Sequence, residues 1–245
     1  MSRHSVRRLT ALKELTSSSR YLEVGVSQGH TFNHVDFPKK HAVDPNFRFE
    51  TKDHERKGIS FFQQTSDDYF TKVVDIPDFD LIFLDGLHAY EQTYRDFVNA
   101  ILHSHEKTIF LIDDTRPSDI YSAMRNQNFA VTTRRTLTTS DSRDWHGDVF
   151  KILFLLKLFH VKYEYATVCE DNPQTIVWSK SLTSGQSREK NPKPFKTFKD
   201  MRYLRSCFEN LGSIDYHWTM NECSDIFQVA KEDDLLTYLK KSISR

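Results

Sequence analysis

Five short runs carry the side chains that could do chemistry. Glu23-Val24-Gly25-Val26-Ser27-Gln28-Gly29 is a β-prone run feeding a glycine turn. Glycines there let backbone approach a ligand closely, and a helix opening behind them aims N–H groups at anionic atoms. The spacing is G-x-x-x-G rather than the G-x-G-x-x-G of dinucleotide sites, so a plain tight turn is the competing reading. Asp44 lies 21 residues after Glu23. At the tip of a second strand, beside that turn, it could accept from two ribose hydroxyls. Thr65, Ser66 and Asp67 follow a third strand and could read an adenine edge or simply cap a helix. Asp85 ends a fourth run, with His88 three residues on, and Asp113 and Asp114 end a fifth.

Strand tips that are neighbours lie ~5 Å apart, so Asp85, Asp113 and Asp114 would repel unless protons or a cation intervened. Hard oxygen ligands suit Mg²⁺ or Ca²⁺ better than zinc. Such a metal would bind acceptor hydroxyls and lower their pKa. Otherwise Asp85 touches a ligand while Asp113 and Asp114 cap a turn. His88 could take a proton near neutral pH. Most of the eleven histidines should be surface or structural, and position at the ligand end of the sheet sets His88 apart. His146, in Trp145-His146-Gly147-Asp148, is its rival. Trp145 reads as packing before it reads as a sugar platform. Asp148 could cap the next helix or touch an acceptor, and Arg116 could steer an anion or sit in solvent.

These residues need elements to hold them. Short apolar runs at 21–24, 41–43, 59–63, 81–84 and 108–112 read as buried parallel strands with both faces covered. Two more, 163–169 and 175–179, are separated by five residues containing Asp171-Asn172-Pro173. That is too short for a crossover helix, so they should form an antiparallel hairpin. Tyr90, Tyr94, Phe97, Val98, Ile101 and Leu102 fall on one helical face. Ser66 reads as the cap of a short helix reaching residue 73, with Asp67 and Asp68 in its first turn. Further helices are expected at 147–160, 201–210 and 233–242. The fold class is α/β, mostly parallel, with helices on both faces.

The chain has 245 residues, 34 Lys+Arg and 34 Asp+Glu, so its formal net charge is zero. A flat balance argues against a dedicated nucleic-acid or anionic-membrane binder. Three cysteines without CxxC spacing argue against a disulfide scaffold and favour a reducing compartment. No apolar run reaches the ~20 residues of a membrane span, so a cytoplasmic location is expected. Residues 180–205 hold eight basic and two acidic residues. They could hold a phosphorylated acceptor, though a solvated linker face is the plainer reading. The expected division is a ligand-binding domain over 1–180, a linker or mobile loop over 181–195, and a helical extension over 196–245. That extension could act as a lid, a dimer arm or an acceptor clamp, which leaves a homo-oligomer open.

Taken together, Glu23-x-Gly25-x-x-x-Gly29, Asp44, Thr65-Ser66-Asp67, Leu84-Asp85-Gly86-Leu87-His88 and Ile112-Asp113-Asp114-Thr115 resemble a class I S-adenosylmethionine-dependent methyltransferase. The runs TSDDYF, FLDGLHAYEQTYRDF, IFLIDDTRP and WHGDVFK are similar to those of methyltransferases that modify glycans. The resemblance covers about residues 20–180 and implies a Rossmann-like seven-stranded sheet closed by an antiparallel hairpin. It implies that Gly25, Ser27 and Gly29 cradle the methionine part of the cofactor and that Glu23 orients that loop. Asp44 would hold the ribose, with Thr65, Ser66 and Asp67 around adenine. Asp85 would touch cofactor and acceptor, His88 would be the base, and Asp85, Asp113 and Asp114 would form a divalent-metal site. Ser27-Gln28 stands where many members have a third glycine. The implied activity is O-methylation of a small-molecule or glycan hydroxyl. Two other classes compete: a non-catalytic cofactor-binding protein on the same scaffold, and a metal-dependent hydrolase using the acidic cluster.

Overall fold

The computed structural model describes residues 3–183 and 201–243. Its strands are β1 (Arg20–Val24), β2 (Lys39–Val43), β3 (Ile59–Phe62), β4 (Phe79–Leu84), β5 (Ser104–Ile112), β6 (Tyr163–Val168), β7 (Gln174–Ser179) and β8 (Val229–Ala230). They form one sheet in the order β3-β2-β1-β4-β5-β7-β6-β8. The first five are mutually parallel, and β7 runs antiparallel to both β5 and β6. The strand order reverses between β1 and β4, which opens a crevice at their carboxyl ends, where wound sheets bind ligands.

Alternation within each strand feeds two cores. Leu22, Val24, Ile82, Leu84, Phe110, Ile112 and Val177 face one side. Tyr21, Leu81, Phe83, Ile109, Leu111, Ile176 and Trp178 face the other. The helices are α1 (Arg3–Thr16), α2 (Ser66–Lys72), α3 (Tyr90–Ile101), α4 (Gln127–Leu137), α5 (Ile152–Phe159), α6 (Lys180–Thr183), α7 (Met201–Glu209), α8 (Tyr216–Glu222) and α9 (Glu232–Ile243). Phe97 of α3 and Leu153 and Phe154 of α5 cover the first face. Leu9 and Leu12 of α1 and Leu235 and Leu239 of α9 cover the second.

The seven expected strands are present, and β8 makes an eighth by pairing in parallel with β6 through Thr167↔Val229 and Val168↔Ala230. Two residues leave no periodicity to read in advance. The C-terminal residues are built into both cores: Leu211, Ile214, Tyr216 and Phe227 join the first, and α9 joins the second. The Tyr216 hydroxyl donates to the Pro117 carbonyl at 2.6 Å. The expected linker lies outside the described residues, except for 181–183, which belong to α6. Thr65, not Ser66, caps α2, accepting from the Asp68 N–H at 3.1 Å. The helix expected at 147–160 begins as a tight turn over Val149–Lys151 and becomes α5 only at Ile152. Among the described residues, no helix is long and apolar enough to cross a membrane.

Candidate active site

The strand tips named above meet at the carboxyl end of the sheet, around a cavity of about 750 Å³. It runs from the turn after β1, past Asp44 and Thr65–Asp67, to Asp85 and His88. That volume is in the range of sites that enclose drug-sized ligands.

Gly25 sets the near wall. Its φ is +89°, and a Cβ there would stand 1.8 Å from the Asp85 carbonyl oxygen. Only glycine lets the first turn lie flat against the β4 tip. Gly25→Ala should cost about 3 kcal/mol, combining left-handed strain with overpacking. A fall in melting temperature together with lost ligand binding checks this; wild-type stability in the variant would contradict it. Gly29 stands back from the cavity. It is absent from the cavity wall, and a Cβ there would meet Asn33 and Phe49. Its N–H donates to the Val26 carbonyl at 2.8 Å and closes the turn.

Asp44 braces this turn. One carboxylate oxygen accepts from the Ser27 N–H and the other from the Asn46 N–H, both at 2.7 Å. Ser27 is itself held at φ +48°. Each Asp44 oxygen keeps a lone pair for a ligand donor. Glu23 is buried below and accepts from the Tyr21 hydroxyl at 2.6 Å. Burial pushes its carboxyl up to about 8, against the opposing pulls of Tyr21 and Lys40. Lys40 in turn donates to the Phe32 and Val35 carbonyls at 2.5 and 3.0 Å, fixing the segment that follows the turn.

Thr65, Ser66 and Asp67 all line the cavity. The Gln92 amide spans Ser66 at 3.2 Å, Asp67 at 3.3 Å and Asp96 at 2.9 Å. Gln92 and Asp96 line the cavity as well and were missed in the sequence. Their i,i+4 spacing on the polar face of α3 was the available signal. Asn46, Arg48 and His30 complete the rim without any such signal.

At the far end the carboxylates part company. Asp85, His88 and Asp114 bring one ligand atom each within 4.8 Å of one another. Asp113 does not join them. Its Oδ1 accepts from the Asn172 amide and from the Asp114 N–H, both at 2.9 Å. Asp114 has φ +61°, a reversal that sends its carboxylate the other way, with Oδ2 3.1 Å from His88 Nδ1. Burial, then the facing carboxylates of Asp113 and Asp114, push Asp85 well above the usual range. Burial and Asp113 do the same to Asp114.

His88 Nδ1 also lies 3.1 Å from the Trp145 carbonyl oxygen. A carbonyl can only accept, so Nδ1 carries the proton and Nε2 keeps its lone pair. Burial, with the nearby His146, lowers the His88 pKa to about 4, so the ring is neutral at physiological pH. Its approach to Asp114 is therefore a contact of a neutral ring rather than an ion pair, the Nδ1–H being directed at the Trp145 carbonyl. Trp145 packs flat on the imidazole, ring centroids 4.4 Å apart and planes within 4°. Its indole N–H donates to the Met124 carbonyl at 2.6 Å. Trp145 is thus a support for His88. Gly147 allows this closeness, since a Cβ there would stand 1.9 Å from the His88 carbonyl oxygen.

His146 Nε2 stays 3.9 Å from Asp114, beyond hydrogen-bonding reach. Asp148 caps neither its own helix nor the cavity. It accepts from the Tyr90 N–H at 3.2 Å, at the start of α3, and pairs with Lys151 at 3.3 Å. Arg116 lies 5.8 Å from the Phe227 ring, rather than free in solvent.

Residues 8–115 match the family model of a methyltransferase domain. No curated protein gives a significant match to the sequence. An O-methyltransferase from Bacillus cereus, solved in complex with SAH, aligns with a TM-score of 0.51 at 14% identity, over 72% of this chain and 80% of that one. A Klebsiella pneumoniae protein assigned as an O-methyltransferase gives 0.50 at 14%, over 73% and 81%. A Staphylococcus aureus protein assigned as a caffeoyl-CoA O-methyltransferase gives 0.50 at 15%, over 73% and 84%. At these identities the solved structures speak for the fold alone. Residues 8–115 therefore resemble a methyltransferase domain, and the order and direction of the strands agree with that likeness.

Proposed function

We propose that this chain is an O-methyltransferase whose acceptor is a hydroxyl of a sugar or glycan precursor. One observation carries the reading: a neutral imidazole, His88, with its Nε2 lone pair free, at the cavity end opposite the ribose-type carboxylate of Asp44. S-adenosylmethionine, when bound, supplies a methyl group already activated on sulfur. The protein's part is alignment and proton removal. Asp44 and the Gly25–Ser27 backbone would hold the nucleoside, with Thr65, Ser66 and Asp67 around the base. Asp85 would face the reacting end, and His88 Nε2 would take the hydroxyl proton as the acceptor oxygen attacks. The sugar class rests on the likeness of the WHGDVFK and FLDGLHAYEQTYRDF runs to glycan-modifying enzymes.

The test is transfer of labelled methyl from S-adenosylmethionine to a panel of nucleotide sugars and oligosaccharides. Label on a sugar oxygen is expected. Tight cofactor binding with no transfer to any hydroxyl would favour a non-catalytic role instead.

Divalent-metal assistance is a second part of the reading. Asp85 and Asp114 would hold the ion with His88 as third donor, in place of the all-carboxylate set expected from Asp113. Two oxygens and an imidazole admit Mn²⁺ or Zn²⁺ as readily as Mg²⁺. A neutral imidazole ligating through Nδ1, the nitrogen beside Asp114, would carry its proton on Nε2 and could not take another there, so the two roles exclude each other at His88. With a required metal, EDTA abolishes transfer and Mg²⁺ or Mn²⁺ restores it; activity indifferent to chelator removes the metal and leaves His88 as base. A cytoplasmic location fits the three free cysteines.

A further inference from the structure

A buried carboxylate needs donors for its lone pairs, because bulk water does not reach it. Asp96 of α3 is 2% exposed and lines the cavity. Its Oδ1 accepts from the Gln92 amide at 2.9 Å, and the Ser66 hydroxyl also donates to the carboxylate. Two protein donors leave about two of its roughly four lone-pair sites open. Burial raises its pKa in spite of both bonds. Gly86 stands beside it on the cavity wall, and a Cβ there would lie 3.5 Å from Asp96 Oδ2. A side chain at 86 would pack on that oxygen; glycine leaves the approach to it open. Asp67, the carboxylate expected at an adenine edge, is placed differently. Its side chain is 47% exposed, and both of its oxygens lie within 3.4 Å of the Arg95 guanidinium. Asp67 is thus satisfied by a cation and by solvent, whereas Asp96 makes no ion pair among the described residues.

We propose that Asp96 determines which base the cavity accepts: its open lone pairs take a hydrogen bond from an exocyclic amine, the 6-amino group of adenine. The inference rests on the adenosyl reading of the cavity, in which a ribose on Asp44 sends its base toward Thr65–Asp67. Gln92 ties Asp96 to that end, since its one amide reaches Ser66, Asp67 and Asp96. An ionised carboxylate only accepts. It pairs with an amine at purine position 6 and repels the keto oxygen that inosine carries there. A buried polar group rejects the wrong partner strongly, because it is then left unpaired. Asp96→Asn keeps an oxygen for the Gln92 amide and puts an NH₂ where Oδ2 stood. That group would donate to a keto oxygen, so one isosteric change reverses the preference.

The experiment is calorimetric titration of the full chain with S-adenosylhomocysteine and with S-inosylhomocysteine, which carries a keto group in place of the 6-amine. Wild type is expected to prefer the adenosyl form by roughly 10- to 100-fold, the effect of leaving one buried group unpaired. In Asp96→Asn that ratio should narrow by about tenfold or invert, while Asp67→Asn keeps the wild-type ratio. Asp96→Ser, whose hydroxyl both donates and accepts, serves if the asparagine variant folds poorly, and should narrow the ratio as well. A cooperative melting transition identifies the folded variants. A wild type that binds both ligands equally, or a ratio unmoved in a folded Asp96 variant, overturns the role of Asp96 and leaves the adenosyl reading standing. Failure of wild type to bind either nucleoside overturns that reading instead.

Discussion

Replacing Asp44 by alanine should weaken S-adenosylhomocysteine binding by roughly 100-fold, with calorimetry as the readout. The size follows from its bonds. Asp44 accepts two backbone N–H groups at 2.7 Å, which hold the turn after β1 and the loop after β2 in register. Charge-assisted bonds of this kind contribute about 1.5–3 kcal/mol each, and every 1.4 kcal/mol is tenfold in affinity. The variant would also lose the proposed acceptor for ribose hydroxyls. Asp44→Asn should do almost as badly. Both oxygens are already used as acceptors of N–H, and an amide NH₂ in either place would confront a donor. Unchanged affinity in both variants would remove Asp44 from the cofactor site.

Replacing His88 by alanine separates chemistry from binding. Turnover on the acceptor found by the methyl-transfer screen should fall by about 10²–10⁴-fold, the usual worth of a positioned base. Affinity for S-adenosylhomocysteine should stay near wild type, since the cofactor's proposed holders are Asp44, the glycine turn and the residues around Thr65. The melting temperature is the control, because the imidazole stacks on Trp145 and its loss leaves the indole uncovered. A variant that folds, binds and turns over normally would take the base role from His88. A variant that folds but fails to bind cofactor would instead place His88 among the binding groups.

Much of this molecule was legible in advance because its strands are short apolar runs ending in polar residues with evident chemistry. Parallel strands buried on both faces have no other way to be written. The hairpin followed from five residues between β6 and β7. What could not be read has physical causes. The α1 helix was not expected because Ser5 and Arg8 lie on its buried side beside Leu9 and Leu12, so its apolar stripe is broken. Arg8 is tolerated there only because Glu232, from the other end of the chain, neutralises it. No local pattern reveals a pairing across 224 residues. The division of labour between Asp113 and Asp114 is hidden for a similar reason. It depends on a left-handed Asp114 and on an amide from Asn172, 59 residues away from Asp113. The place of Gly29 off the cavity wall was hidden because spacing says where a glycine falls, not which side of the turn needs the space.

The central claim, an adenosyl ligand lying across Gly25 with its ribose on Asp44, is tested most directly by calorimetric titration of the full chain with S-adenosylhomocysteine, with NAD as the comparison. Saturable binding of S-adenosylhomocysteine at one site per chain, with no heat from NAD, is the expected result. Silence with S-adenosylhomocysteine, or an equal response to NAD, would contradict it.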